Sequence, residues 1–271
     1  MRTTAISAVF SAIACAMGGA AVAADGFITI APGNIPNFFA IGIGAAPDYL
    51  GSDNYMAGGA PAGRVAIGEH RYVSLEANYL SVNLINDPHF QAGPSGLYRF
   101  GRDNVDDRLV DKLPDIDNTV ELGAFVGYEW WDEDDSRNRW RIGADFLHDV
   151  GGVHNGFVVS ASLRKWFAIG STGALGIGLA TSYGSDDYTD KYFSVTSRGA
   201  AASGLHMFQA DGGMRDARLT ALYVQPISQS WIVGAGAMYS RFLGDAADSP
   251  VVDDRGDANQ FIFGVGAGYT W

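Results

Sequence analysis

Apolar and polar positions alternate with period two through much of this chain, most cleanly in its last thirteen residues. There Phe261, Phe263, Val265, Ala267, Tyr269 and Trp271 fall on one face, and Gln260, Ile262, Gly264, Gly266, Gly268 and Thr270 on the other. A terminal strand so apolar and aromatic on one side would invite edge-to-edge aggregation in a soluble sheet. It suits the closing strand of a membrane barrel, with lipid on one face and lumen on the other. Its length also suits a tilted strand, which crosses hydrocarbon in roughly 9–11 residues.

The same alternation predicts strands upstream. Phe39, Ile41, Ile43 and Ala45 alternate with small residues, and a Gly-rich strand follows over 55–67. Leu75, Ala77 and Tyr79 oppose Ser74, Glu76 and Asn78, and residues 90–101 continue the pattern less regularly. Val120 to Trp130, Trp140 to Leu147, Phe157 to Arg164 and Leu175 to Ala180 make the central strands, with Leu219 to Tyr223 and Trp231 to Tyr239 after them. Asp103 to Asn118, 184–217 and 244–257 read as polar inserts, while 168–172 and 226–230 are short turns.

The fold class is therefore all-β, an antiparallel transmembrane β-barrel with both termini periplasmic and the long inserts extracellular. Eleven segments carry the strand pattern, whereas single-chain bacterial barrels are even-numbered. Twelve strands result if residues 191–197 add one, or if 71–85 fold back at Ala77-Asn78. Ten result if 55–67 or 90–101 does not span.

The start of the chain agrees. A positive Met1-Arg2, an apolar Ala5 to Ala16 and the small-residue motif Ala21-Val22-Ala23 predict a signal peptide over 1–23, cut before Ala24. Residues 24–37 read as a periplasmic lead-in and 38–271 as the barrel. The one cysteine, Cys15, falls in the removed segment, so disulfides, cysteine zinc sites and a thiol nucleophile are excluded from the mature chain.

Composition narrows the partners. Mean hydropathy is +0.03, and no segment after residue 23 approaches the apolar length of a membrane helix. Thirty-six glycines and 12% aromatics suit a barrel. A net charge of −12 disfavours nucleic acid. The surroundings expected are outer-membrane lipid and lipopolysaccharide in a Gram-negative envelope. The aromatic end, Tyr269 and Trp271, resembles the signal that such barrels present to the barrel-assembly machinery.

At several places the chain resembles the MipA/OmpV family of outer-membrane proteins. The blocks are Ala46 to Tyr55, Tyr98 to Arg102, Val120 to Ala124, Asp149 to His154, Tyr188 and Lys191 to Val195 with Ser203 to Leu205, and Leu243 to Pro250. Leu50 stands where the family usually has Glu, and Trp271 closes the chain where many members have Phe. The resemblance implies a non-enzymatic barrel that scaffolds peptidoglycan-remodelling enzymes, linking a lytic transglycosylase to a peptidoglycan synthase. Other members are described as adhesins or as affecting antibiotic sensitivity. It implies no catalytic residues.

Candidate chemistry is sparse. Glycines at two-residue spacing lie inside strands, not between a strand and a helix, so they make no nucleotide loop. The acidic clusters Asp132 to Asp135, Asp186-Asp187, and Asp253-Asp254 with Asp257 lack the spacing of a calcium loop. His148-Asp149 with Ser160 or Ser162 lacks a nucleophile elbow. No cofactor and no metal are expected. Glu121, Glu129, Arg141, Asp145 and Arg164 fall on the lumen face, where they would line an aqueous path or pair and plug it. Arg255-Gly256-Asp257 is an RGD tripeptide in an extracellular insert. A small-solute channel and an adhesin working through its loops stand as the alternatives to the scaffold.

Overall fold

Alternation with period two lets each strand present apolar side chains outward and small or polar ones inward, so a sheet can close without a polar face meeting lipid. In the computed structural model, which describes residues 36–271, twelve antiparallel strands close into a barrel. They are β1 (Phe38–Pro47), β2 (Tyr55–Ala66), β3 (Tyr72–Glu76), β4 (Tyr79–Asn83), β5 (Phe90–Arg99) and β6 (Thr119–Trp131). The second half comprises β7 (Arg139–Asp149), β8 (Phe157–Ile169), β9 (Gly173–Gly184), β10 (Gly213–Pro226), β11 (Trp231–Phe242) and β12 (Asn259–Thr270). Signal-peptide cleavage and most of the lead-in fall on residues 1–35, outside the described residues.

Closure is made by β1 on β12, in register from Phe38↔Thr270 to Ala45↔Phe263. Asn37 O accepts from Trp271 N at 3.1 Å, so the first described residues and the last share one end of the barrel. Of the two routes to twelve strands, the hairpin at Ala77-Asn78 is the one taken. Ala77 adopts φ 52°, and β3 and β4 pair from Tyr72↔Asn83 to Glu76↔Tyr79. Residues 191–197 are not a strand. They lie across two short helices, α1 (Asp186–Phe193) and α2 (Ser197–Ser203). The insert expected over 184–217 is correspondingly shorter, because β10 begins at Gly213. Arg215 and Asp216 read as loop residues by their charge, but both are buried inside the barrel end, beside an irregularity between Met214 and Asp216.

Outside, Ile41, Ile43, Leu122, Ile142, Leu179, Phe263 and Val265 are exposed, as a lipid-facing surface requires. Aromatic pairs bound this surface at both ends. Trp130 stacks near Trp140 and Trp231 meets Tyr269 edge-on toward the termini, while Phe157–Tyr183 and Tyr239–Phe261 lie toward the other end.

The β3–β4 hairpin is only five residues a side and meets β2 over 62–66. Its turn stops at Pro61, whose carbonyl accepts from Ala77 N and whose ring nitrogen has no hydrogen to offer. Above it, among the described residues, Tyr55 to Ala60 of β2 are paired on the β1 side alone. Ala57, Gly58 and Gly59 are all exposed along this open edge.

Candidate functional site

Two features stand out: a packed cap over the barrel end away from the termini, and a charged network inside the wall beneath it. The cap is built from the inserts. Ser185 accepts from Tyr188 N to start α1, Asp186 and Asp187 sit at the positive end of its dipole, and Lys191 at the negative end. Thr196 caps α2 through Gly199 N, and Gly204 ends it at φ 83°. A third short helix, α3 (Gly244–Asp248), follows β11. Phe193, Ala246 and Val252 pack with Ile116 and Phe242 in one apolar cluster. Tyr49, Leu113, Val195 and Val251 form part of a second. The inserts 100–118, 185–212 and 243–258 are thus one folded body lying across that mouth.

Polar contacts tie the cap together. Burial pushes the Arg102 guanidinium down to about 10, against the favourable pull of Tyr49 and Asp115, and Arg102 Nη1 donates to Tyr192 O at 3.4 Å. The RGD tripeptide belongs to this body. Arg255 pairs with Asp107, Gly256 bridges to Ser52, and Asp257 N donates to Gly51 O at 2.9 Å. Asp257 Oδ1 accepts from Asn259 N at 2.7 Å.

Below the cap, Arg99 of β5 reaches across the wall to Glu121 of β6 with both edges of its guanidinium, Nη2 to Oε2 at 2.8 Å. The Glu121 carboxylate is also met by His154 Nε2 at 2.8 Å. Gly156 N donates to His154 Nδ1, so the ring proton sits on Nε2 and points at Glu121. His154 is placed by Asp149, whose carboxylate accepts from Thr119 Oγ1 and from the amides of Gly151, Gly152, His154 and Asn155. Tyr188 of α1 then joins cap to wall: its hydroxyl accepts from Arg215 Nη1 at 2.8 Å and Arg99 Nη1 at 3.4 Å. Arg215 and Arg218 both bind Asp216.

Toward the termini, Gln91 Nε2 donates to Glu129 Oε2 at 3.1 Å and Arg139 Nη1 to Glu129 Oε1 at 3.3 Å. Between the two clusters lie Arg141, Asp145 and Arg164, on adjacent strands and facing inward. The five charged lumen positions read from sequence therefore divide among three places. Glu121 lies under the cap, Glu129 at the terminal end, and Arg141, Asp145 and Arg164 meet in the middle. Arg99, His154 and Arg215 belong with them but stand near strand ends or in a turn, where the pattern gives no face, and Arg218 lies inside β10 just ahead of the residues where the alternation becomes clear. His148 points outward and Ser160 and Ser162 inward, so no hydrolase triad forms among them. Tyr269 and Trp271 are exposed on the outer face at the terminal end.

The lumen is lopsided. The inward faces of β12, β1 and β2 carry Gly264, Gly266 and Gly268, then Ala40, Gly42 and Gly44, then Gly58, Ala60 and Ala62. Nearly all the charge sits on the opposite wall.

A family model described as MltA-interacting protein MipA matches residues 39–271. The putative outer membrane protein YiaT of Escherichia coli K12 is 30% identical over 165 residues, 59% of this chain and 61% of that protein. Outer membrane protein OmpV of Vibrio cholerae is 29% identical over 124 residues, 46% of each. The match thus spans about three fifths of the first relative and under half of the second. Among solved structures the NanC porin aligns with 86% of this chain and 100% of its own, at 9% identity and a TM-score of 0.48.

Proposed function

The chain belongs to the MipA family of outer-membrane barrels, and from that membership we propose that it is a non-enzymatic scaffold: it holds a periplasmic lytic transglycosylase, and with it a peptidoglycan synthase, at the outer membrane. The observation that carries this reading is the cap. A barrel whose outer mouth is filled by a folded body with its own apolar core is built as a rigid platform more than as a passage. Partners then meet the rim that bears the termini, which this reading places in the periplasm.

That rim offers a surface of definite character. The β6–β7 turn carries Asp132, Glu133 and Asp134, all exposed. Arg137 stiffens it by donating to Asp135 Oδ2 at 2.7 Å and to Gly173 O, across the neighbouring turn, at 3.1 Å. A partner with a basic face suits such an acidic, pre-organised turn.

The test is capture of a purified MltA-type transglycosylase by the purified barrel. Replacing Asp132, Glu133 and Asp134 together by Asn, Gln and Asn should weaken capture at least tenfold and steepen no salt dependence. Substitutions on the cap surface should leave it unchanged. Equal capture by the rim variant and the wild type would sink the assignment, as would a steady ohmic conductance of the intact barrel in planar bilayers.

A further inference from the structure

Arg141 on β7 and Arg164 on β8 are direct cross-strand neighbours, an arrangement that sets two like charges on one face. Arg164 is only 8% exposed, and among the described residues no hydrogen-bond acceptor or ion-pair carboxylate holds its guanidinium. Arg141 Nη1 is buried with no hydrogen-bond partner, while the rest of that guanidinium meets the Tyr72 hydroxyl and has Glu129 as its cross-strand neighbour on β6. The charged groups around Arg164 are Glu76, which offsets it, and Arg141, which adds to it.

Both guanidiniums lie in prepared places. A Cβ on Gly178 would come within 3.0 Å of Arg164 Nε and Nη2, and a Cβ on Gly127 within 3.0 Å of Arg141 Nη2. The glycines thus let each planar group lie flat on the wall. The two arginines line a cavity of about 40 Å³ together with Arg218, Asp145, Ser160 and Ser162. Arg218 is already engaged, by Asp216 at 3.1 Å and Ser182 at 2.5 Å. A space this size takes a few waters or one small group.

A guanidinium this largely enclosed, with no acceptor and beside a like charge, is costly to keep. Fork-shaped donors with adjoining hydroxyls match the oxygens of a planar or tetrahedral anion. We propose that the middle of the lumen is a binding site for a small oxyanion, a carboxylate or phosphate group, held chiefly by Arg164 and Arg141. The glycine wall lies across the lumen from these arginines; Gly42 there is half-buried, and a Cβ on it would have no atom nearer than 3.4 Å.

The experiment measures unfolding temperature of the full-length barrel in detergent, titrated with inorganic phosphate and separately with acetate, against chloride at matched ionic strength. Wild type should show a saturable rise of a few degrees with one or both oxyanions and none with chloride. Arg164→Gln should lose that rise, and in chloride alone it should be at least as stable as wild type, because it relieves the like-charge contact with Arg141 and removes a guanidinium that no acceptor holds. A purely structural arginine gives the opposite sign: the variant is weaker in chloride, and phosphate moves both proteins equally. That outcome, or no oxyanion-specific rise in wild type, overturns the proposal. Arg141→Gln, read the same way, decides the matter should Arg164→Gln fail to give a heat-modifiable barrel.

Discussion

Arg255, in the insert after β11, closes on Asp107 of the insert after β5, with Nε at 3.1 Å and Nη2 at 2.5 Å from Oδ2. The contact joins positions 148 residues apart and locks two cap segments to one another. Asp107 Oδ1 also accepts from Leu109 N and Val110 N, both at 2.9 Å, so one carboxylate organises its own loop and receives the other.

That carboxylate makes the cap acid-sensitive. Burial alone would push the Asp107 carboxyl up, but Arg255 and the Val110 and Leu109 amides outweigh it and hold the group below the usual carboxylate range. A lowered folded value means the pair contributes stability above the ordinary carboxylate value, near 4, and loses it as pH falls through the lower folded value. Limited proteolysis of the folded barrel should therefore show cap cleavage rising below about pH 4. Asp107→Asn should show the raised cleavage already at neutral pH, with no acid step from this site.

The cap core predicts what opens the mouth. Val251 and Val252 are fully buried, in the two apolar clusters. Deleting 244–257 outright would strip both clusters, so a point change is the cleaner probe. Val252→Asp buries an unpaired charge and should cost roughly 3 kcal/mol or more. The barrel strands should stay folded by gel shift, while the variant gains a fluctuating conductance in planar bilayers that wild type lacks.

Inward glycines are not equivalent. A Cβ on Gly123 would run into the Phe146 carbonyl oxygen of the next strand, whereas one on Gly42 would meet nothing closer than Val265 O at 3.4 Å. Gly123→Ala should destabilise the barrel by roughly 1–3 kcal/mol, the usual range for overpacking. Gly42→Ala should be neutral or slightly stabilising, since it restricts the unfolded chain. Urea midpoints in detergent check the contrast; equal midpoints would remove the steric account.

At the barrel seam Trp271 is exposed, and its N–H bonds to Asn37 O. Trp271→Asp should lower outer-membrane levels several-fold without changing the stability of the protein that does fold, as expected of an assembly signal whose ring lies outside the core. Normal levels in cells would refute a role for Trp271 in assembly.

Barrel strands were legible in the sequence wherever the alternation had a strong outer face. Phe261 to Tyr269 and Val120 to Trp130 needed nothing further. The signal faded at β3–β4, where Ala77 sits on the apolar register but forms the turn by adopting a positive φ. It failed at Arg215 and Asp216, because charge marks a loop only when water is the alternative, and here they bind each other inside the barrel at 2.7 Å, Nε to Oδ2. The cap was invisible for a related reason. Its helices are short, and their apolar residues, Tyr188, Tyr192 and Phe193, answer to partners far along the chain and to no local period. The mid-lumen arginines could be assigned a face but not a state, since the surroundings of Arg164 depend on the register of β8 against β7, which sets it opposite Arg141, and on Glu76 of the distant β3.

The low β3–β4 hairpin leaves its mark on the membrane as well as on the fold. With the Pro61 carbonyl turned toward β3, the alternating pattern turns the amides and carbonyls of Tyr55, Ala57 and Gly59 the same way, toward no strand among the described residues. Hydrocarbon cannot lie against bare peptide groups, each of which costs several kcal/mol there. Hydrated headgroups must therefore dip to the level of the Ala77-Asn78 turn on this one flank. The molecule sits in a leaflet that is dimpled on one side, and so carries a compass direction in the plane of the membrane that its near-cylindrical wall would otherwise lack.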